Sequence, residues 1–344
     1  MNIPILNIYY MLVYAWDVLD EAESLQIQAD DCTKLVDLFA RVLHSGAESI
    51  LRRGLDRGYV AHRETIAGIK GKLDISASIK VNAFQNAQAV CEFDEFSHDV
   101  LHNRILKSTI RNLLTVDELS AELRDKLAET NYRLHQIAEI AMNDRVFRSV
   151  QLHRNNRQYR LLMDVCRLIY RAQCVNENPG ENEFSNFVRD KRRMRILFEK
   201  FVRNFYRNEQ NAYRVGRSTL VWAHTSGAAR ALDMLPKMHT DITLRSKERV
   251  IVIETKFVPH AMLEHYGKKM LRSGHLYQLF AYLRNLAPRL PRSRPLEGIL
   301  LYPTTSISLD AEYQLHGHRV RVATVDLSQP AQHINSPLKK APLR

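Results

Sequence analysis

The stretch TDITLRSKERVIVIETKF, residues 240–257, carries an isolated acid, Asp241, and then Glu254 and Lys256 at the end of an apolar run. Taking 239–246 and 249–256 as antiparallel strands joined around SKER sets Ile242 opposite Ile253 and Leu244 opposite Ile251. A slip of one residue would turn one strand's apolar set over, so the pairing is favoured. Asp241 then lies opposite Glu254, their Cβ atoms about 4.5–5.5 Å apart on one face. Lys256 points to the same face, about 6.6 Å farther along. Two carboxylates this close repel, and without a cation one of them tends to hold a proton. A hard divalent ion such as Mg²⁺ or Mn²⁺ removes that conflict. It can also activate a water and neutralise charge growing on a phosphate. A neighbouring ammonium can orient the water or stabilise the charge. The chemistry indicated is metal-assisted phosphodiester hydrolysis. On spacing alone, the same residues also suit a solvated strand end with ordinary Glu–Lys decoration.

The elements around this stretch read as an α/β pattern of helix, several strands, helix and strand with a central sheet. In MRILFEKFVRNFYRNE, residues 194–209, Leu197, Phe198, Phe201, Val202 and Phe205 share one helical face. Strand-like pieces follow at 215–223, 239–245 and 249–257, then a helix in HLYQLFAYLRNL and strands in LEGILLYP and RVRVATVDL. The first half is mixed α+β. NIYYMLVYAWDVLDEAE and CTKLVDLFARVLHSGAESILRRG have helical spacing, and the aromatic run IYYMLVYAW reads as core. YVAHRETIAGIKGKLDIS and QAVCEFDEFS are strand-like. A helix with Ser97 as N-cap follows in SHDVLHNRILKSTIRNLL, and two more are expected near 119–133 and 158–174. The division expected is a module over 1–175, a polar linker over 176–188 containing Pro179 and Gly180, an α/β domain over 189–335 and a loose tail over 336–344.

The 344-residue chain has a formal net charge of +12, which favours a polyanion such as nucleic acid. An evenly basic surface is the plainer alternative. The charge clusters in RDKRRMR, with Arg192 and Arg193, and again at Lys268, Lys269 and Arg272, which are candidate DNA contacts. The cysteines at 32, 91, 166 and 174 have no zinc spacing and read as reduced thiols of a cytoplasmic protein. No apolar run approaches the ~18 residues of a membrane span, so no membrane partner is expected. The opening residues lack the basic flank and cleavage site of a signal peptide.

The set Asp241, Glu254-Thr255-Lys256 resembles the PD-(D/E)xK nuclease superfamily. Gln278 and Tyr282 in LYQLFAY match the QxxxY helix of its RecB-like branch. The resemblance implies Asp241 and Glu254 as metal ligands, Lys256 as the residue assisting the attacking water and Gln278 as a group positioning it, with Tyr282 in support. Glu199 sits on the helix that often adds an acid, but off that helix's apolar face; a solvated Glu is the equal alternative. The superfamily's Pro before the first acid is Thr240 here, and Glu254 fills a place where Asp also serves.

A wider resemblance covers nearly the whole chain in order. NIYYMLVYAW, GIKGKLDIS, FDEFSHDVLHNRILKST, LPKMHTDITLRSKERVIVIETKF and HLYQLFAYL resemble the McrC family, nuclease subunits of McrBC modification-dependent restriction systems. The resemblance implies a partner AAA+ GTPase hexamer, McrB-like, that recognises modified cytosine and translocates, while this chain cuts double-stranded DNA and stimulates the GTPase. The first half would be the docking module. The sequence agrees in having no GxxxxGK[ST], and GIKGK at 68–72 has the wrong spacing for a phosphate loop, so no nucleotide is expected on this chain. Two rivals are a basic adaptor whose nuclease-like fold only tethers DNA to an NTPase, and a stand-alone RecB-like nuclease. His98 and His102, spaced i, i+4, read as a surface pair rather than a zinc site, and His275 as a minor candidate for a place near DNA.

Overall fold

The computed structural model describes residues 3–24, 34–173, 190–223, 233–265, 268–306 and 308–340. The linker expected at 176–188 lies outside the described residues, as do Cys32 and Cys174. Two units form: Asp20–Phe184, and Met1–Leu19 together with Ser185–Arg344. The expected 1–175 module therefore loses its first helix, Ile5–Trp16, to the other unit. The reason lies in that helix's side chains. Tyr10 and Tyr14 pack their rings edge-on against Phe201, at 5.9 and 5.6 Å between centroids. Asn7 Nδ2 donates to the carbonyls of Leu327 and Gln329, both at 2.8 Å, and Tyr14 OH donates to Glu209.

In the unit Asp20–Phe184, strand β1 (Gly58–Ala67) pairs antiparallel with β3 (Gln88–Ser97), whose other edge takes β2 (Lys72–Leu73). Gly71 makes the entry to β2 possible. Its φ is +68°, and a Cβ there would collide with the Glu92 carbonyl. Ser97 ends β3 rather than capping a helix. The helix Leu101–Leu114 starts after Val100, and Ser97 Oγ instead accepts from the Asp99 amide. His98 and His102 part company. His98 bonds Leu55 O and Arg57, while His102 is buried 3.0 Å from Asp56. Cys91 and Cys166 are free and buried.

The other unit is built on a six-stranded mixed sheet of described residues. Its strands are β4 (Arg214–Gly216), β7 (Ile242–Arg245), β8 (Val250–Thr255), β11 (Leu296–Thr304), β12 (Asp310–Leu315) and β13 (His318–Asp326). Their order is β12-β13-β11-β8-β7-β4, with β11 parallel to both β13 and β8. The strand expected over 215–223 is broken, because Ser218 turns to bond Thr240. Its remainder is β5 (Thr219–Leu220), which pairs with β6 (Met238–His239). A hairpin of β9 (Met262–His265) and β10 (Lys268–Leu271) leads into the helix Ser273–Leu286. The expected loose tail is helical as far as the described residues go, in Ala331–Lys340, with Leu338 fully buried.

The β7–β8 register is the one the apolar pairs call for: Ile242 opposite Ile253 and Leu244 opposite Ile251. All four side chains are fully buried. At ~1.5–3 kcal/mol per buried aliphatic side chain, a slip would cost far more than any turn preference could return. On the opposite face, Val250 and Val252 cluster with Leu279, Leu283 and Leu286 of the helix Ser273–Leu286. Gly298 on β11 lets this helix come close: a Cβ there would meet Leu279 and Leu283 methyl carbons at 3.0 Å.

Candidate active site

Asp241 immediately precedes β7, Glu254 and Thr255 close β8, and Lys256 follows. The Thr255 amide donates to Asp241 Oδ2 at 3.0 Å and the Thr255 hydroxyl donates to the same oxygen at 2.7 Å. These two bonds fix the first acid against the end of β8. Thr240 explains the missing proline. Its amide donates to Ser218 O at 3.0 Å, a bond proline could not make.

Lys256 Nζ bridges Glu254 Oε1 and Gln278 Oε1, both at 2.7 Å. Gln278 Nε2 donates to Tyr282 OH at 2.7 Å. The i, i+4 spacing of Gln278 and Tyr282 on the helix Ser273–Leu286 places both over the strand ends, and Gly298 allows that approach. Asp241, Glu254, Lys256, Gln278 and Tyr282 thus form one connected group.

Glu254 is 2% exposed, and its second oxygen, Oε2, is buried with no hydrogen-bond partner. Burial first, and then the Asp241 charge, raise its carboxyl to about 7, against the opposing pull of Lys256. An orphaned carboxylate oxygen beside a second carboxylate is what a divalent cation would satisfy. Among the described residues no group of three His, Cys, Asp or Glu could hold a metal. A cation here would therefore take Asp241 and Glu254 and complete its shell with water and phosphate oxygens, the habit of Mg²⁺ rather than of zinc.

Two neighbours lay beyond the sequence reading as site members. His275, one turn before Gln278, shares a 2.9 Å hydrogen bond with Tyr302 OH on β11. Burial, then the charges of Lys256 and Arg272, lower His275 to about 4, so it is neutral near pH 7. Burial pushes Tyr302 up to about 12. The only sequence signal was the one-turn offset from Gln278.

Other candidates stand apart from this group. Glu199 pairs with Arg203 at 2.9 Å and reaches Arg217 at 3.8 Å. Arg193 folds back on Asp190 at the start of the helix Lys191–Asn208, while Arg192 is exposed. Lys268 and Lys269 are exposed on β10, and Arg272 Nε donates to His260 O at 3.3 Å.

With this geometry in place, comparison with known proteins is informative. The profile of a family described as McrBC 5-methylcytosine restriction system component matches residues 7–303. The chain belongs to that family. It is 32% identical over 327 residues to the Type IV methyl-directed restriction enzyme EcoKMcrBC of Escherichia coli (strain K12), covering 95% of this chain and 93% of that one. A chain of the solved half-complex from a tetradecameric assembly of Thermococcus gammatolerans McrB AAA+ hexamers with bound McrC superposes with a TM-score of 0.59. That match covers 98% of this chain and 75% of the other at 18% identity, which establishes likeness of fold. The McrBC family match runs through both units and includes every residue of the connected group. No helix among the described residues is long and apolar enough to cross a membrane.

Proposed function

We propose that the chain is the endodeoxyribonuclease subunit of a GTP-dependent, modified-cytosine-specific restriction complex. It cuts double-stranded DNA after translocation by an AAA+ GTPase hexamer resembling McrB, and it stimulates that GTPase. The observation that carries the reading is the buried Glu254 carboxyl, with one oxygen lacking a hydrogen-bond partner, near enough to Asp241 to feel its charge and bonded by Lys256 at the other oxygen. Family membership and the fold of the Thermococcus assembly support the choice of substrate and partner.

Asp241 and Glu254 would hold Mg²⁺ or Mn²⁺, which supplies an acidified water and neutralises phosphate charge when bound. Thr255 keeps Asp241 aimed at the site through its two hydrogen bonds. Lys256, held at Nζ by Glu254 and Gln278, presents its remaining N–H to the attacking water or to a non-bridging phosphate oxygen. Gln278 positions Lys256 and is itself fixed by Tyr282. Nucleotide hydrolysis belongs to the partner.

The test is cleavage of methylated duplex by the purified chain with and without a McrB-like partner, GTP and Mg²⁺. Asp241→Ala and Lys256→Ala should each abolish cutting while partner binding and GTPase stimulation persist. Normal cutting by either variant overturns the site assignment. Cutting without any partner would favour a stand-alone nuclease, and no metal-dependent nicking under any condition would favour an adaptor.

A further inference from the structure

A pocket of about 500 Å³ is lined by Arg214, Arg217, Arg245 and Arg289 together with Ser218 and Thr243. We propose that this pocket grips backbone phosphates of the DNA at a distance from the cut, acting as a phosphate clamp for the nuclease site. The inference rests on the nuclease reading above.

The charge balance is the first argument. Among the described residues, no Asp or Glu lines the pocket. Among the described residues, Arg214, Arg245 and Arg289 have no carboxylate partner, and Arg217 reaches Glu199 only at 3.8 Å. Arg245 Nη2 is held by Ser218 Oγ at 3.0 Å and Arg289 Nη2 by Val221 O at 3.1 Å, so the guanidinium groups are fixed by neutral acceptors. Close to Arg245, the Nε of Arg294 is buried with no hydrogen-bond partner. Arg245 is partly buried without a counter-charge, which is costly, and an anion bound there relieves that cost. Guanidinium groups match phosphate geometry with paired N–H donors.

Position is the second argument. Asp241, Thr243 and Arg245 alternate along one strand and so share a face, which places the pocket on the side where the carboxylates converge. Arg245 is four residues from Asp241, roughly 13 Å at a strand rise of ~3.3 Å per residue. Arg217 Nε donates to Thr240 O at 3.3 Å, which ties the clamp to the residue preceding Asp241. Among the described residues, no aromatic ring lines the pocket for a base to stack on, which favours a backbone phosphate over a free nucleotide.

The experiment compares the wild-type chain with Arg214→Gln/Arg289→Gln, both exposed positions, each in complex with its GTPase partner. Duplex affinity is read by fluorescence anisotropy from 50 to 200 mM KCl. Losing two phosphate contacts should lower the slope of log Kobs against log salt by about 1.8, and affinity at 50 mM by at least about tenfold. Arg214→Lys/Arg289→Lys should restore the slope. An unchanged slope in the Gln variant overturns the clamp, including the case in which the pocket binds free GTP instead. Wild-type cleavage is scored separately. A changed slope without wild-type cutting keeps the clamp and sinks the nuclease, whereas normal cutting with an unchanged slope sinks the clamp alone.

Discussion

Titrating the chain with Mg²⁺ at pH 6 and again at pH 8 tests the pairing of Asp241 with Glu254. Burial and the Asp241 charge raise Glu254 to about 7. A ligating carboxylate must be ionised, so proton and cation compete for it. With a pKa of about 7, the ionised fraction is about 0.1 at pH 6 and about 0.9 at pH 8. Apparent affinity should therefore rise about tenfold between the two, roughly 1.4 kcal/mol. A carboxyl at its ordinary value, 4.5, would be ionised at both and would give almost no change. Calorimetric titration in two buffers of different ionisation heat reads the proton release directly, close to one proton per ion at pH 6 and near none at pH 8. Stability of the metal-free chain runs the opposite way with pH. The folded-state pKa lies above the unfolded one, so the contribution of Glu254 is full below pH 4.5 and is lost as pH rises through about 7. Added Mg²⁺ should recover it above pH 7. Equal affinities at pH 6 and 8, with no proton released, would refute the reasoning.

Gln278→Ala should lower kcat by about ten- to a hundredfold by freeing Lys256, with duplex affinity unchanged; steady-state cleavage at saturating DNA checks it, and a normal kcat removes Gln278 from the mechanism. Gly298→Ala should lower the melting temperature at a cost of about 1–3 kcal/mol, because Leu279 and Leu283 must shift, and the displaced helix should cut more slowly. Gly71→Ala forces a side chain into a positive-φ position against the Glu92 carbonyl, so thermal denaturation should show a loss above about 1 kcal/mol.

The hairpin that carries Asp241 and Glu254 was legible because two apolar pairs admit one register, and Ile242–Ile253 and Leu244–Ile251 pair accordingly. Gln278 and Tyr282 were legible through the resemblance to the QxxxY helix, and their i, i+4 spacing sets them side by side. The arginine pocket was not: Arg214, Arg245 and Arg289 come from separate elements, and their convergence is a property of the sheet edge rather than of any spacing. His275 was legible only as a minor candidate for a place near DNA, since its partner Tyr302 arrives from β11. The tail expected over 336–344 begins inside the helix Ala331–Lys340, where Leu338 is buried and its carbonyl accepts from Tyr206 OH at 3.0 Å. The aromatic run near the start was read as core, but nothing local in IYYMLVYAW says which unit it completes.

The bond from Asn7 to Leu327 spans 320 residues. At ~5–20 residues per second on the ribosome, the helix Ile5–Trp16 waits about 16 to 64 s for the segment it packs with. Asp20–Phe184 can fold in that interval. The unit holding Asp241 and Glu254 can close only after residue 329 has been made, so a nascent or truncated chain exposes an apolar helix to chaperones before that site is assembled.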